Sequence, residues 1–218
     1  MDLIPIEFQQ HYKQILDYIN AYKNGVTSDT MQSYGIHYEK NFGVSIIDLK
    51  RISERFRNSH DLANLLWEKG WRETYILSTL IDEAQTYSVD LLAHRVSGAP
   101  TFEILEQFAY NVAWQVDCLD AYFDQVEDRE SKEMLYFLIK STTYQLMKKK
   151  ITAKAALERI SKFTFSDEPT ILNVLQNLLL RICADDNSLH KATVELCESY
   201  TGESWKMLSE IIREYGIS

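Results

Sequence analysis

Three carboxylates recur at helical spacing in the middle of the chain. Asp117, Asp120 and Asp124 stand at positions i, i+3 and i+7, and Trp114 lies beside them in sequence. On one continuous helix this spacing places all three carboxylates on one face. A carboxylate held in a water-poor site can stabilise positive charge that develops during a reaction. An ordinary solvated acidic face is the alternative. Because this segment has no histidine, a dedicated metal site is not expected.

Two groups of basic residues could contact phosphate. Their members are Lys50, Arg51, Arg55 and Arg57 in the first group, and Lys148, Lys149, Lys150, Lys154, Arg159 and Lys162 in the second. Such groups supply the phosphate contacts of DNA-binding proteins, although ordinary surface charge would look the same in a sequence. The net charge of -9 argues against DNA binding unless the cations gather on one surface.

Several classes of chemistry find no support in the sequence. The five histidines show no ligand spacing, and no Gly-rich phosphate loop or nucleophilic serine motif is present. The three cysteines lack metal-ligand spacing and are interpreted as free thiols. No apolar run approaches the roughly 18 residues of a membrane helix, and the first residues lack the pattern of a signal peptide. We therefore expect a cytoplasmic protein with no metal, no cofactor and no membrane partner.

The elements that would position these residues are expected to be helices. Hydrophobic residues make up 45% of the chain, and only 7 Gly and 3 Pro interrupt it, where average usage is about 7% and 5%. Apolar residues recur at three- and four-residue spacing almost throughout, which predicts about ten helices with short connections. The break at Gly98-Ala99-Pro100 is too short to separate domains, so a single domain over residues 1–218 is predicted. Periodicity alone leaves open a helical array or an irregular bundle.

Cap signals set the expected helix boundaries. Ser45, Ser59 and Thr152 are predicted N-caps, and Glu168 precedes a proline in a first helical turn. The carboxylates and Trp114 fall on a helix predicted from Thr101 to Asp124, with a break allowed near Asn111. A second helix is predicted from Asp128 to Lys149. Lys132 falls near its start, and the run Lys148-Lys149-Lys150 falls at its end.

The most distinctive stretch is Leu66-Trp67-Glu68-Lys69-Gly70-Trp71-Arg72-Glu73, followed by Ile76-Leu77-Ser78 and preceded upstream by Gly43-Val44. Physically it is a helix, a glycine that ends it and a second helix, and we expect Trp67 to pack in the core at this junction. From about Tyr34 to Asp82 the sequence resembles the alkylpurine DNA glycosylases of the DNA alkylation repair family. The resemblance implies an all-α array of antiparallel helix pairs, a HEAT-like repeat solenoid.

The resemblance also implies a candidate catalytic residue. Asp117 follows a valine, as the catalytic aspartate of the family does, and it would stabilise positive charge on the deoxyribose as an alkylated purine leaves. The family has an aromatic residue four positions before that aspartate. This chain has Ala113 there and Trp114 one position later, so Trp114 is the candidate aromatic wall of the site.

Two further cations are candidates by the same resemblance. Lys132 lies near the position of a family arginine, and Arg181 keeps a second cation that the family places three residues after a tryptophan. Leu178 occupies the position of that tryptophan. Arg181 could contact phosphate or stabilise the C-terminal end of its helix.

Two functions from different classes remain open. The first is a HEAT-like protein that binds duplex DNA, damaged or branched, through Lys132, Arg181 and the run Lys148-Lys149-Lys150, with alkylpurine glycosylase activity at Asp117 if the site is active. The second is a helical-repeat scaffold that binds a protein partner, which the acidic charge and the missing aromatic residues favour.

Overall fold

The computed structural model describes residues 6–127 and 129–215, and it describes side chains from Phe8 onward. Thirteen α-helices occupy these residues: α1 (Ile6–Ala21), α2 (Gly25–Ser33), α3 (Ile46–Ser53), α4 (His60–Lys69), α5 (Arg72–Ile81), α6 (Val89–Ser97), α7 (Phe102–Asn111), α8 (Leu119–Gln125), α9 (Lys132–Met147), α10 (Ala153–Ile160), α11 (Pro169–Asp185), α12 (His190–Glu198) and α13 (Glu203–Tyr215). Within these ranges there is no strand, and extended backbone pairs only in an isolated bridge between Lys40 and Trp71. The predicted all-α class is confirmed.

The helices divide into two compact units. Unit 1 runs up to Ser88 and includes Gly98–Asp117, so that it holds α1 to α5 and α7. Unit 2 holds Val89–Ser97 and the chain from Cys118 onward, and so contains α6 and α8 to α13. Consecutive helices pack together in both, as α4 does with α5 and α12 with α13. The single domain expected from the sequence stays a prediction beside these two units.

The junction between α4 and α5 lies in the core of unit 1. Trp67 is 4% exposed, and its ring meets Tyr75 edge-on with centroids 4.8 Å apart. Gly70 ends α4 with a φ of 74°, in the left-handed region that glycine adopts without a steric cost. The predicted core role of Trp67 is therefore confirmed.

Most of the predicted caps are made. The Ser45 hydroxyl accepts from the backbone N–H of Asp48, and the hydroxyl of Thr152 and the carboxylate of Glu168 cap α10 and α11 in the same way. Ser59 is the N-cap residue of α4, as predicted, but its hydroxyl is buried and makes no capping hydrogen bond. Its backbone N–H donates to the carbonyl of Ile81, so Ser59 joins α4 to the end of α5 through the main chain.

The helix predicted from Thr101 to Asp124 is not continuous. α7 ends at Asn111, a short 3₁₀ turn spans residues 113–115, and α8 begins at Leu119. Polar side chains take over hydrogen bonds at the break: the Asn111 amide donates to the Thr79 hydroxyl, and the Gln115 amide donates to the Asn111 carbonyl. The allowed break near Asn111 is confirmed.

The helix predicted from Asp128 to Lys149 is shorter than expected. It is α9, which begins at Lys132 under a cap from the Ser131 hydroxyl. Asp128 lies outside the described residues.

In the part of the chain that the structure describes, no helix has the length and apolar character that crossing a bilayer demands.

Candidate functional site

The distinctive sequence stretch forms a buried hydrogen-bonded clasp. The Glu73 side chain is fully buried, and its carboxylate accepts from the backbone N–H of Phe42 at 3.1 Å and of Val44 at 3.2 Å. Gly43 between them has a φ of 69°, and a Cβ there would lie 2.1 Å from the Asn24 carbonyl oxygen. Only glycine fits this approach. The Gly-Val pair and the glutamate are therefore parts of one structural contact.

Arg72 extends the clasp to α7. Its Nε and Nη2 donate to the two carboxylate oxygens of Glu103 at 3.0 and 2.6 Å, and its Nη1 donates to the Val44 carbonyl at 3.1 Å. The Tyr38 hydroxyl also donates to Glu103. Burial alone would lower the pKa of Arg72, but the hydrogen bonds and negative charge of Glu103, with the charge of Glu73, raise it. Arg72 is 4% exposed, so it holds the fold and is closed to a large ligand.

The candidate catalytic pair lies at the end of unit 1. Asp117 is exposed in the turn before α8, and Trp114 is half-buried in the 3₁₀ turn. The predicted acidic face on one helix is wrong, because Asp117 belongs to a turn whereas Asp120 and Asp124 belong to α8 of unit 2. Both α8 carboxylates have cationic partners: Asp120 lies 2.7 Å from Arg159, and Asp124 lies 3.2 Å from Lys162.

Three exposed lysines, Lys148, Lys149 and Lys150, follow the last residue of α9. The backbone N–H of Lys150 donates to the Gln145 carbonyl at 2.9 Å, and that of Lys149 donates to Leu146 at 3.0 Å, which closes the helix in a Schellman pattern. Lys149 occupies the left-handed position with a φ of 58°, where glycine is usual. A non-glycine residue in this conformation costs roughly 1–2 kcal/mol. A lysine side chain is thus kept at a backbone position that favours glycine.

Two candidate DNA-contacting cations of unit 2 converge on one carboxylate. The Nζ of Lys149 lies 3.1 Å from Asp185, and the Nε of Arg181 lies 3.3 Å from the other oxygen of the same carboxylate. Asp185 is the last residue of α11. Arg181 therefore pairs with a carboxylate of its own final turn and lies beside Lys149, while part of its side chain stays exposed.

Lys132 is exposed at the first position of α9. Burial would raise the pKa of Glu168, but the hydrogen bonds that its carboxylate makes with Ile171 and Thr170 lower it, and the positive charge of Lys132 adds to this lowering. Lys132 thus lies near the beginning of α11, whereas Arg181 and Lys149 lie at the end of that helix.

One member of the second basic group is not available to DNA. Arg159 is 7% exposed, and its guanidinium donates to Thr142 and Gln145 at 3.1 and 2.8 Å and pairs with Asp120. Burial lowers the pKa of Arg159, against the opposing charge of Asp120. The prediction of a phosphate contact at Arg159 is wrong because the side chain completes the core of unit 2. In the sequence, Arg159 on its amphipathic helix could not be told apart from the exposed lysines of the same basic group. Only the packing of the fold shows that Arg159 is buried.

Metal chemistry gains no candidate. Among residues 6–127 and 129–215, no group of three His, Cys, Asp or Glu side chains is arranged to hold a metal ion. Cys183 and Cys197 are buried, and burial raises the pKa of the Cys197 thiol to about 12, which makes a reactive thiolate unfavourable at neutral pH.

Comparisons with known proteins agree with the helical architecture. The sequence matches the family described as "DNA alkylation repair enzyme" over residues 15–201. No curated protein matches the chain. A solved structure described as "a new family of proteins related to the HEAT-like repeat DNA glycosylases with affinity for branched DNA structures" is similar, with a TM-score of 0.70, 15% identity and coverage of 93% of this chain and 92% of that one. At this identity the likeness shows a shared fold. With most of its length matched, the chain belongs to the DNA alkylation repair enzyme family and has the HEAT-like helical fold.

Proposed function

We propose that this protein binds duplex DNA, damaged or branched, through the exposed cations of unit 2. The observation that carries the proposal is the group of lysines at the end of α9, where Lys149 occupies a left-handed position beside Arg181. Lysine ammonium groups at a helix end contact phosphate as point charges. Family membership supports a DNA ligand, and the similar solved structure is of a protein with affinity for branched DNA.

The acidic balance of the whole chain makes this binding depend on a local surface. With a net charge of -9, distant parts of the chain repel DNA, and only short-range contacts can offset that repulsion. Each phosphate contact releases a condensed counterion, so the affinity should fall steeply as salt rises.

Reversing Lys148, Lys149 and Lys150 to glutamate should weaken duplex binding by at least about tenfold at low salt. The slope of log affinity against log salt should fall by about 3, because up to three counterions are no longer released. Fluorescence anisotropy of a labelled duplex over a salt series measures both quantities. Melting followed by circular dichroism checks that the variant is folded.

Lys149→Gly is the matched control. It removes one cation at a position where glycine is preferred, so it should not lower the melting temperature, and it should reduce the salt slope by about 1. If the wild-type protein binds no duplex at low ionic strength, the DNA-binding proposal fails. The scaffold function, which the charge of -9 favours, then takes its place.

We propose that any base excision by this protein is weak. The positions that the family fills with aromatic residues hold Ala113 and Leu178, both fully buried, so neither offers a ring to a flipped base. Asp117 is exposed in its turn, where water screens its charge. Positioning of the sugar and a dry electrostatic site account for much of the barrier reduction in such a reaction.

Asp117→Asn tests this residual activity. If the purified protein releases methylated purines from alkylated duplex DNA, the substitution should abolish most of the release, because the positive charge on the sugar loses its partner. Chromatography of the released bases measures it, with duplex binding as the control for folding. Robust release that survives Asp117→Asn would show that the reaction takes place elsewhere.

We further propose that the chain acts in the cytoplasm, without metal or cofactor, as a single domain.

A further inference from the structure

Exposed apolar and aromatic side chains surround α3 in unit 1. Ile47 is 70% exposed on the helix itself, and Tyr22 on α1 and Tyr110 on α7 are 44% and 42% exposed. Leu49 and Ile52 are buried on the opposite face of α3, so Ile47 is not needed for the packing of the helix. Together with Lys50, Arg51 and Arg55, the three exposed groups form what we term the α3 surface.

The cations of the α3 surface are held in place by their neighbours. Arg51 pairs with Asp48 at 3.2 Å, and the guanidinium of Arg55 lies 5.1 Å from the ring centre of Tyr18 and donates to its hydroxyl. Lys50 lies 5.8 Å from the ring centre of Tyr110. Such contacts restrict the long side chains in advance, which lowers the entropy lost when a ligand binds.

The helical spacing arranges these groups in a row. At 100° per residue, Ile47 and Arg51 form the outermost ridge of α3, opposite the buried face, and the C-cap residue Glu54 continues this ridge. Tyr22 shares a cleft with Asp48 and Arg51 on one side of this ridge, whereas Lys50 and Tyr110 lie on the other side. One exposed ring therefore lies on each side of the ridge.

The charge of the surface favours an anionic ligand. Four cations lie on and directly after α3: Lys50, Arg51, Arg55 and Arg57. This segment has two carboxylates, Asp48 and Glu54, which pair with Arg51 and Arg57. This positive excess occurs within a chain whose net charge is -9. The cleft beside Tyr22 measures only about 30 Å³, too little to enclose a small molecule. A ligand must therefore lie across the surface.

We propose that the α3 surface binds unpaired nucleotides of DNA, with bases stacked on Tyr22 and Tyr110 and phosphates held by Lys50, Arg51 and Arg55. Alternating aromatic rings and cations suit a single strand, whose bases expose their faces. In a duplex those faces are stacked on each other, so the two rings would gain little from it. The inference rests on the proposed DNA binding and assigns to unit 1 the single-stranded arm or gap of a branched substrate.

Tyr22→Ala combined with Tyr110→Ala tests the inference. Loss of two stacking contacts should weaken binding of labelled oligothymidylate by about thirtyfold while leaving the salt slope unchanged. Affinity for a blunt duplex should change by less than about twofold, because its phosphate contacts remain. Replacing the same tyrosines with phenylalanine keeps both rings and should retain wild-type affinity for the single strand.

The possible results separate this inference from the proposed function. If the wild type binds duplex but not oligothymidylate, or if the double alanine variant binds oligothymidylate as tightly as the wild type, the α3 surface is not a site for unpaired DNA, while duplex binding through unit 2 stands. If the phenylalanine variant loses as much affinity as the alanine variant, stacking is not the interaction and the inference is wrong. If the wild type binds neither ligand, both proposals fail.

Discussion

Glu73→Gln should lower the free energy of unfolding by about 3–5 kcal/mol, the usual cost of breaking one partner of a buried charge pair. Glutamine keeps the size of the side chain but replaces one carboxylate oxygen with an amide NH₂. That group would face the backbone N–H of Phe42 or Val44, which now donate to the carboxylate. The charge of Glu73 beside Arg72 would be lost as well, 3.4 Å away.

Urea unfolding at neutral pH measures this effect, and Glu68→Gln is its control. Glu68 is exposed on the same sequence stretch, so its substitution should change stability by no more than about 0.5 kcal/mol. A Glu73→Gln protein with the wild-type unfolding midpoint would show that the carboxylate does not hold the turn at Gly43.

The clasp shows how a motif can identify a family without marking its chemistry. The stretch from Leu66 to Glu73, together with Gly43 upstream, correctly indicated the fold, because a glycine at a tight approach and a buried glutamate are requirements of backbone geometry that are visible in a sequence. The partner Glu103 of Arg72 was not predictable, since it lies 31 residues away in sequence and nothing local to either residue signals the pair. A short-range motif carries local geometry, whereas the long-range contact depends on packing.

The candidate site was harder to predict than the fold. The spacing of Asp117, Asp120 and Asp124 suggested one acidic helix face, but periodicity assumes a continuous helix, and the helix ends at Asn111. Arg159 was predicted to be a surface cation, but the packing of the fold buries its side chain. The left-handed conformation of Lys149 left no trace in sequence, because lysine is common near helix ends for its charge alone.

Trp67→Ala should lower the free energy of unfolding by about 3–5 kcal/mol, because removing a buried indole leaves a cavity that the surrounding helices fill only in part. The ring contacts Tyr75 and Phe108, so the cavity would open between α4, α5 and α7 within unit 1. Thermal and urea unfolding both measure the loss.

Trp71→Ala is the control for Trp67→Ala, since the two tryptophans lie four residues apart and differ in burial. The Trp71 ring is only half-buried and stacks against the ammonium groups of Lys40 and Lys69 at 4.2 and 4.5 Å. Its loss should cost less, about 1–2 kcal/mol, because two surface cation–π contacts contribute about 0.5–1 kcal/mol each. Equal losses from the two substitutions would mean that burial does not set the contribution of these rings. If the Trp67→Ala protein melts at the same temperature as the wild type, the expected contribution of Trp67 to the core is wrong.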